Sequence, residues 1–419
     1  YQRHYGLVTG EVNCGRSKSE LLGFAFKNLK KSLNKSCYRA EEFRTEKEVM
    51  LELKAKCLKK AVVPSTLIQY PSPANLQSTR LALHMNDDNS SSCSVYIASG
   101  SRIYKLLIPM KNSLLNLGKE DLLIPEQCEV LEASEVNRCP HRSEIQSIVL
   151  AETANSGCLT LGSVDSYGHL IVSRLDDSDK DVNRLTYSVS PRDCGVGEGS
   201  WAGLCFNPTQ WSMAAVAHSF SKTIDVYDQD IHLRTLRPLW HPSSLIFMQN
   251  LALGSGNSIL AVAEGCQLSI WDLRIKEKGG CVRRICGSVG DNLYAVCNSS
   301  QGTIAAGGAD RSVTVYDPRR WSAVSRWLNC SKYEITGLAF SSIDPEYVYV
   351  QGVDYEVLCG RWRESKKIFS YRGDSNWLGF SKCSDRDVLG GWSDSGSIFV
   401  ADIDVVDGLQ LPNDLGHPC

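Results

Sequence analysis

Arg274 and Arg319 stand at matched places in two ungapped stretches, ILAVAEGCQLSIWDLR (259–274) and IAAGGADRSVTVYDPR (304–319). Each follows an aromatic–aspartate pair by two positions, Trp271-Asp272 in the first and Tyr316-Asp317 in the second. A guanidinium carries five N–H donors in a planar fork. It therefore grips carboxylates or carbonyl oxygens bidentately across a partly dehydrated interface, which lysine does poorly. Two forks offset by one repeat suit recognition of a protein partner. The alternative reading is a solvated strand end whose arginine pairs with a nearby acid. A weaker third copy, TIDVYDQD (223–230), has Asp230 where the arginine would stand.

Reaction chemistry is harder to find. The chain has no G-x-S-x-G elbow, no P-loop and no Gly-rich turn between a strand and a helix. The glycine-rich GVGEGSWAG (195–203) precedes a strand and reads as a connecting loop. The eight histidines are dispersed, none with a second histidine at metal spacing. Cys139-Pro140-His141 is the nearest to a ligand pair and reads as a loop, while His218 reads as part of a structural network. The 17 cysteines are odd in number and lack any C-x-x-C pair. That pattern fits neither a disulfide framework nor structural zinc, and the thiols are expected to be reduced, buried small hydrophobes. A non-enzyme is expected, with no cofactor, no metal and no small-molecule substrate.

A formal net charge of −2 excludes a globally basic nucleic-acid binder, and no apolar run approaches the roughly 20 residues of a membrane helix. The chain starts at Tyr1 without a signal-peptide pattern, so an upstream segment is expected. The sequons at Asn34, Asn89, Asn298 and Asn329 then carry no weight.

The elements that position the arginines are strands. Tyr227, Trp271 and Tyr316 lie 44 and 45 residues apart, the length of one four-stranded propeller blade. Weaker copies keep the beat at GSVDSYGHLIVSRL, VYVQGVDYEVLCGRW and VLGGWSDSGSIFVADI, with turn aspartates at Asp165, Asp354 and Asp394 alongside Asp310. Short alternating runs such as EIQSIVL, EITGLAF and NWLGFS begin the units, and Gly, Asp, Ser and Asn clusters separate them. The spacing predicts an all-β chain over 75–405, with CSVYIASG and RIYKLLI as central strands of the first blade and an insertion at 110–140.

On these motifs the chain resembles the WD-repeat β-propellers. The resemblance implies seven blades preceded by a short, partly helical N-terminal extension. The family's Gly-His at each blade start is essentially absent here, so its His–Asp–Trp network must be incomplete. The box at Ile304–Arg319 is similar to the one in WD-repeat substrate receptors of cullin-4 ubiquitin ligases. The resemblance implies that Arg274 and Arg319, with Trp271, Asp272, Tyr316 and Asp317, contact the multi-propeller adaptor that links receptor to cullin. It implies a ubiquitination substrate as second partner, and a nuclear or cytoplasmic location with the nucleus favoured. The runner-up is a scaffold subunit of another chromatin- or RNA-related complex.

Three further expectations complete the reading. The last blade lacks its outer strand, so EVMLELKAKCL (48–58) is expected to close the ring, with a helix as its alternative. Residues 17–35 place Leu22, Phe26, Leu29 and Leu33 on one face of a basic helix. That helix is expected to dock on the propeller or a partner, or less plausibly to touch nucleic acid. Trp201, Tyr294, Tyr333 and Trp377 fall at blade starts, as rim contacts or as packing between blades. Residues 406–419 read as a tail.

Overall fold

The structure is a computed structural model and describes residues 52–73, 75–86, 92–111, 116–136, 140–152, 159–175, 185–191, 200–248, 258–287 and 290–406. Seven antiparallel sheets of short strands follow one another around a ring, each meandering from an inner to an outer strand. Blade 1 is Leu81–Met85, Ser92–Ser99, Arg102–Pro109 and Glu132–Glu135; blade 2 is Ile145–Glu152, Leu159–Asp165, Leu170–Leu175 and Leu185–Val189. Blade 3 runs Ala202–Phe206, Met213–His218, Thr223–Asp228, Ile231–Leu236, and blade 4 Pro242–Phe247, Ile259–Glu264, Gln267–Asp272, Cys281–Cys286. Blade 5 is Leu293–Asn298, Ile304–Gly308, Val313–Asp317 and Ser322–Trp327; blade 6 is Ile335–Phe340, Tyr347–Gly352, Glu356–Arg361 and Lys366–Arg372. The helical pieces given in full among the described residues are short 3-10 turns at Lys119–Asp121 and Glu277–Gly280. The chain is an all-β, seven-bladed propeller.

The period-2 pattern drives this arrangement. Second and third strands are buried on both faces, because each blade packs between two others. Among the described residues the apolar core divides into seven clusters, one at each junction between neighbouring blades. Gly379 and Gly390 of blade 7 let the ring close tightly, since a Cβ on either would collide with Leu81 or Leu83 of blade 1.

Blade 7 has Trp377–Lys382, Val388–Ser393 and Ser397–Val406, and its fourth strand is Glu52–Val62 from the start of the described chain. The expected closing strand is therefore a strand, and it runs on to Val62, past the expected end at 58; residues 48–51 lie outside the described residues. Leu53 and Leu58 enter the junction of blades 6 and 7, Cys57 and Ala61 the junction of blades 7 and 1. Alternation fails from Cys57 to Lys59, all buried. There the insertion adds a fifth strand, Glu126–Gln127, parallel to the closing strand and tied by Lys59 Nζ to Glu126 at 2.7 Å. The insertion also reaches blade 6, where Leu122 bridges Ser370. Its end, Glu132–Glu135, is blade 1's outer strand, which the insertion boundaries of 110–140 had absorbed because EASE has no apolar alternation. The helix predicted over 17–35, with Leu22, Phe26, Leu29 and Leu33, and the tail from 407 lie outside the described residues.

Candidate protein-docking face

Trp271 and Tyr316 lie on third strands and are buried, Trp271 at the junction of blades 3 and 4 and Tyr316 at that of blades 4 and 5. Trp271 Nε1 donates to Ser269 Oγ at 2.8 Å, and Arg284 of the outer strand lies over its ring at 5.7 Å. These aromatics hold the strand ends. The aspartate after each one shapes the turn: Asp272 Oδ1 accepts the Arg274 N–H at 3.0 Å and Asp317 Oδ1 the Arg319 N–H at 2.9 Å. A short acceptor bonding its own backbone two residues on is the Asx turn. Both arginines thus leave third strands of adjacent blades at the same end of the propeller, in the third-to-fourth-strand loops.

Their side chains differ. Arg274 folds back on Asp272, with Nε 3.0 Å from Oδ1 and Nη2 2.7 Å from Oδ2. That ion pair, reinforced by the turn N–H, holds the buried Asp272 carboxyl below its ordinary range against the opposing effect of burial. The Arg319 side chain is exposed and its guanidinium has no ion pair or hydrogen bond among the described residues. Blade 3, whose Asp230 breaks the motif, contributes instead through Arg234. Its Nη1 donates to Leu273 O at 3.2 Å and Ile275 O at 2.5 Å, stitching the blade 4 loop to blade 3. Nothing in the box pattern marks Arg234, because it lies on an outer strand outside the repeat unit it supports.

The same end of the propeller carries a mouth of the central channel, a cavity of about 560 Å³ bounded by Leu338, Phe340, Ser341, Lys382 and Cys383. Lys382 there is internally satisfied: Nζ meets Ser342 Oγ at 2.5 Å, Cys383 O at 2.7 Å, Arg386 O at 3.3 Å and Asp387 Oδ1 at 3.5 Å. Burial lowers its pKa and Asp387 opposes that shift. Asp387 also accepts from Ser342 N–H and the Tyr349 hydroxyl, both at 2.7 Å, and from Ser341. The network staples blade 6 to blade 7.

At the opposite mouth Ser78–Arg80 gathers partners from around the ring. The Ser78 hydroxyl donates to Gln351 Oε1 at 2.5 Å, Thr79 Oγ1 to Gln146 O at 2.7 Å, and Trp201 Nε1 to Thr79 Oγ1 at 3.1 Å. Arg80, buried, pairs with Glu144 at 2.9 Å. Trp201 is consequently packed rather than presented, and so is Trp377, which fills the space over Gly373 and Gly391. Of the two roles read for them from sequence, these two tryptophans take packing, because the glycines beneath them leave ring-sized slots. Tyr294 is half-buried; Tyr333 alone of the four is exposed, with Lys332 over its ring at 5.3 Å.

A histidine–aspartate network braces the turn of blade 2. His141 Nδ1 lies 3.1 Å from Asp165 Oδ2 and Nε2 2.8 Å from Ser163 Oγ, while Asp165 Oδ1 accepts the N–H groups of Tyr167 and His169. Burial would raise the Asp165 pKa, but the His141 contact and the turn N–H groups outweigh it. His141, read from sequence as a loop residue after Cys139-Pro140, is thus a turn brace. His218 faces Asp225 at 3.3 Å in blade 3, as expected of a structural histidine. The described cysteines are free thiols, and burial pushes Cys57 up to about 11 and Cys297 and Cys330 up to about 12.

Fold and face together define a β-propeller of the kind that serves as a protein-interaction scaffold. No protein-family model matches the chain, and none of the curated proteins does.

Proposed function

We propose that the chain is a WD-repeat propeller that works without catalysis as a substrate receptor, docking through Arg274 and Arg319 on the multi-propeller adaptor of cullin-4 ubiquitin ligases, in the nucleus. One observation carries the reading: matched Asx turns set two arginines at the same end of neighbouring blades, and the Arg319 fork is uncommitted. An uncommitted exposed arginine contributes little to folding, and at a protein interface it is a frequent hot spot. The opposite end, with exposed Tyr333, remains for a ubiquitination substrate.

The test is binding of purified chain to purified adaptor by interferometry, comparing wild type with the double variant Arg274→Ala, Arg319→Ala. The expected loss is about thirtyfold in affinity, with the melting temperature unchanged within a few degrees. Wild-type chain that ignores the adaptor sinks the receptor reading. The scaffold alternative then stands if the same double variant loses other partners.

A further inference from the structure

The outer strands of blades 2 to 6 share an irregularity. In each, the register slips by one residue opposite the third strand, leaving one residue unpaired in the ladder: Thr186 in blade 2, then Leu233, Val282, Val324 and Ile368 in blades 3 to 6. A bulge re-aims the side chain it frees. The four in blades 3 to 6 are aliphatic, and Leu233, Val282 and Val324 are 50%, 51% and 47% exposed. Single exposed aliphatics are unremarked on any surface, but a row at one ladder position in consecutive blades is a patterned edge.

Charge is patterned on the same edge. Over 273–286, 318–327 and 362–372, the loops and outer strands of blades 4 to 6, there are 12 Lys and Arg against 2 Glu. The chain as a whole is near neutral, at −2. Arg283, Arg320 and Lys366 are exposed, one on each blade, and none has an ion pair among the described residues. The insertion and the outer strand of blade 1 have the reverse bias: residues 119–135 hold six carboxylates and one lysine.

We infer that the outer edge of blades 4 to 6 is a docking surface for an acidic protein segment, whose carboxylates meet Arg283, Arg320 and Lys366 while its apolar side chains cover Val282 and Val324. The inference deepens the docking reading by naming the partner's chemistry, and it rests on that reading only for the face involved. Charge complementarity selects an acidic partner and sets its approach. The aliphatic residues between the cations select protein over nucleic acid. Valines offer no stacking platform to bases and nothing to phosphates, whereas aliphatic contacts beside arginine are what a protein interface uses.

The experiment uses full chain and fluorescence anisotropy with three labelled probes: a peptide of mixed Glu and Leu, a Glu-only peptide with the same number of carboxylates, and a DNA duplex of equal charge. Wild type should bind the mixed peptide most tightly, and less so as salt rises. The triple variant Arg283→Glu, Arg320→Glu, Lys366→Glu should lose about tenfold or more for both peptides while melting as wild type does. The pair Val282→Ser, Val324→Ser should weaken the mixed peptide about fivefold and leave the Glu-only peptide unchanged. Arg274→Ala with Arg319→Ala, which removes two of the twelve cations, should weaken both peptides alike and by less than the charge reversal, while adaptor affinity falls about thirtyfold, so adaptor loss and edge loss are read separately. Three results overturn the inference: a duplex bound more tightly than the mixed peptide, peptide binding indifferent to charge reversal, or self-association in sedimentation that charge reversal abolishes. The last would make the acidic insertion of a second copy the occupant.

Discussion

Blades 4 and 5 carry near-duplicate boxes and leave their arginines in opposite states. Both turns begin alike, with the aspartate accepting the N–H two residues on. In blade 4, Leu273 packs against the junction of blades 3 and 4, and Arg234 ties the carbonyls on either side of Arg274. The turn is pinned and Arg274 lies along its own carboxylate. In blade 5, Pro318 replaces Leu273, and the chain curls back so that Arg320 N–H and Trp321 N–H both reach Asp317 O, at 3.2 and 2.7 Å. Arg319 is left pointing to solvent. A shared motif sets where an arginine emerges; the neighbouring blade sets whether its charge is already spent.

The largest effect should separate the two aromatics. Trp271 is buried to 1% exposure and its indole N–H is satisfied by Ser269, so Trp271→Ala should cost about 3–5 kcal/mol in chemical denaturation. Tyr316 is the smaller ring and is 6% exposed, and Tyr316→Ala should cost less than Trp271→Ala. Equal losses would mean that the two boxes are interchangeable in the core, and the asymmetry would then be confined to the arginines.

Next come the arginines themselves. Arg319→Ala should account for most of the lost adaptor affinity, about tenfold, and Arg274→Ala for about threefold, since Arg274 must first leave Asp272. Surface plasmon resonance on the single variants decides it. A larger loss at Arg274 would show that the internal pair positions the fork for the partner.

The fold was legible because propeller packing writes a period of 2 inside a period near 44, and no other arrangement buries both faces of so many short strands. The outer strand of blade 1 escaped because EASE faces solvent and needs no apolar partner. The docking residues were legible as positions and illegible as charges. Arg274 and Arg319 look identical in sequence, and what distinguishes them is Arg234, forty residues upstream on another blade. For Trp201 and Trp377 the sequence left rim contact and packing side by side, because the slots that receive them are lined by glycines, which leave no apolar signature. His141 was missed because its partners, Ser163 and Asp165, are 22 and 24 residues away.

A smaller effect follows from protonation. The Asp272 pKa is lowered in the fold, first by the Arg274 hydrogen bonds, so its stabilisation is complete above the unfolded value near 4 and is lost as pH falls through the folded one. Asp272→Asn should lower stability by about 1 kcal/mol at neutral pH, with the melting curves of variant and wild type converging in acid. In the binding assay Asp272→Asn should make Arg274 count as Arg319 does. A parallel offset of the two melting curves at every pH would mean the ion pair is solvated and idle.

The smallest expected change tests the brace between blades. Arg234 donates to Leu273 O and Ile275 O, and no corresponding side chain closes the loop of blade 5 among the described residues. Arg234→Ala removes two hydrogen bonds at the surface, each contributing about 0.5–1.5 kcal/mol at most and less where water replaces the donor. Global stability should barely move. Locally, the amides of Arg274 and Ile275, which bond to Asp272, should exchange with deuterium faster, because local opening needs only that turn to come undone. The amides of Arg319 and Trp321 should exchange as in wild type, since Asp317 holds them without help from blade 4. Adaptor affinity should change by about twofold, in either direction, because a looser turn frees the Arg274 fork while raising the cost of ordering it. Faster exchange in both loops would mean the blades are coupled through more than Arg234. Unchanged exchange in both would mean the Asx turn alone pins Arg274, and the contrast between the boxes would then lie in Leu273 against Pro318.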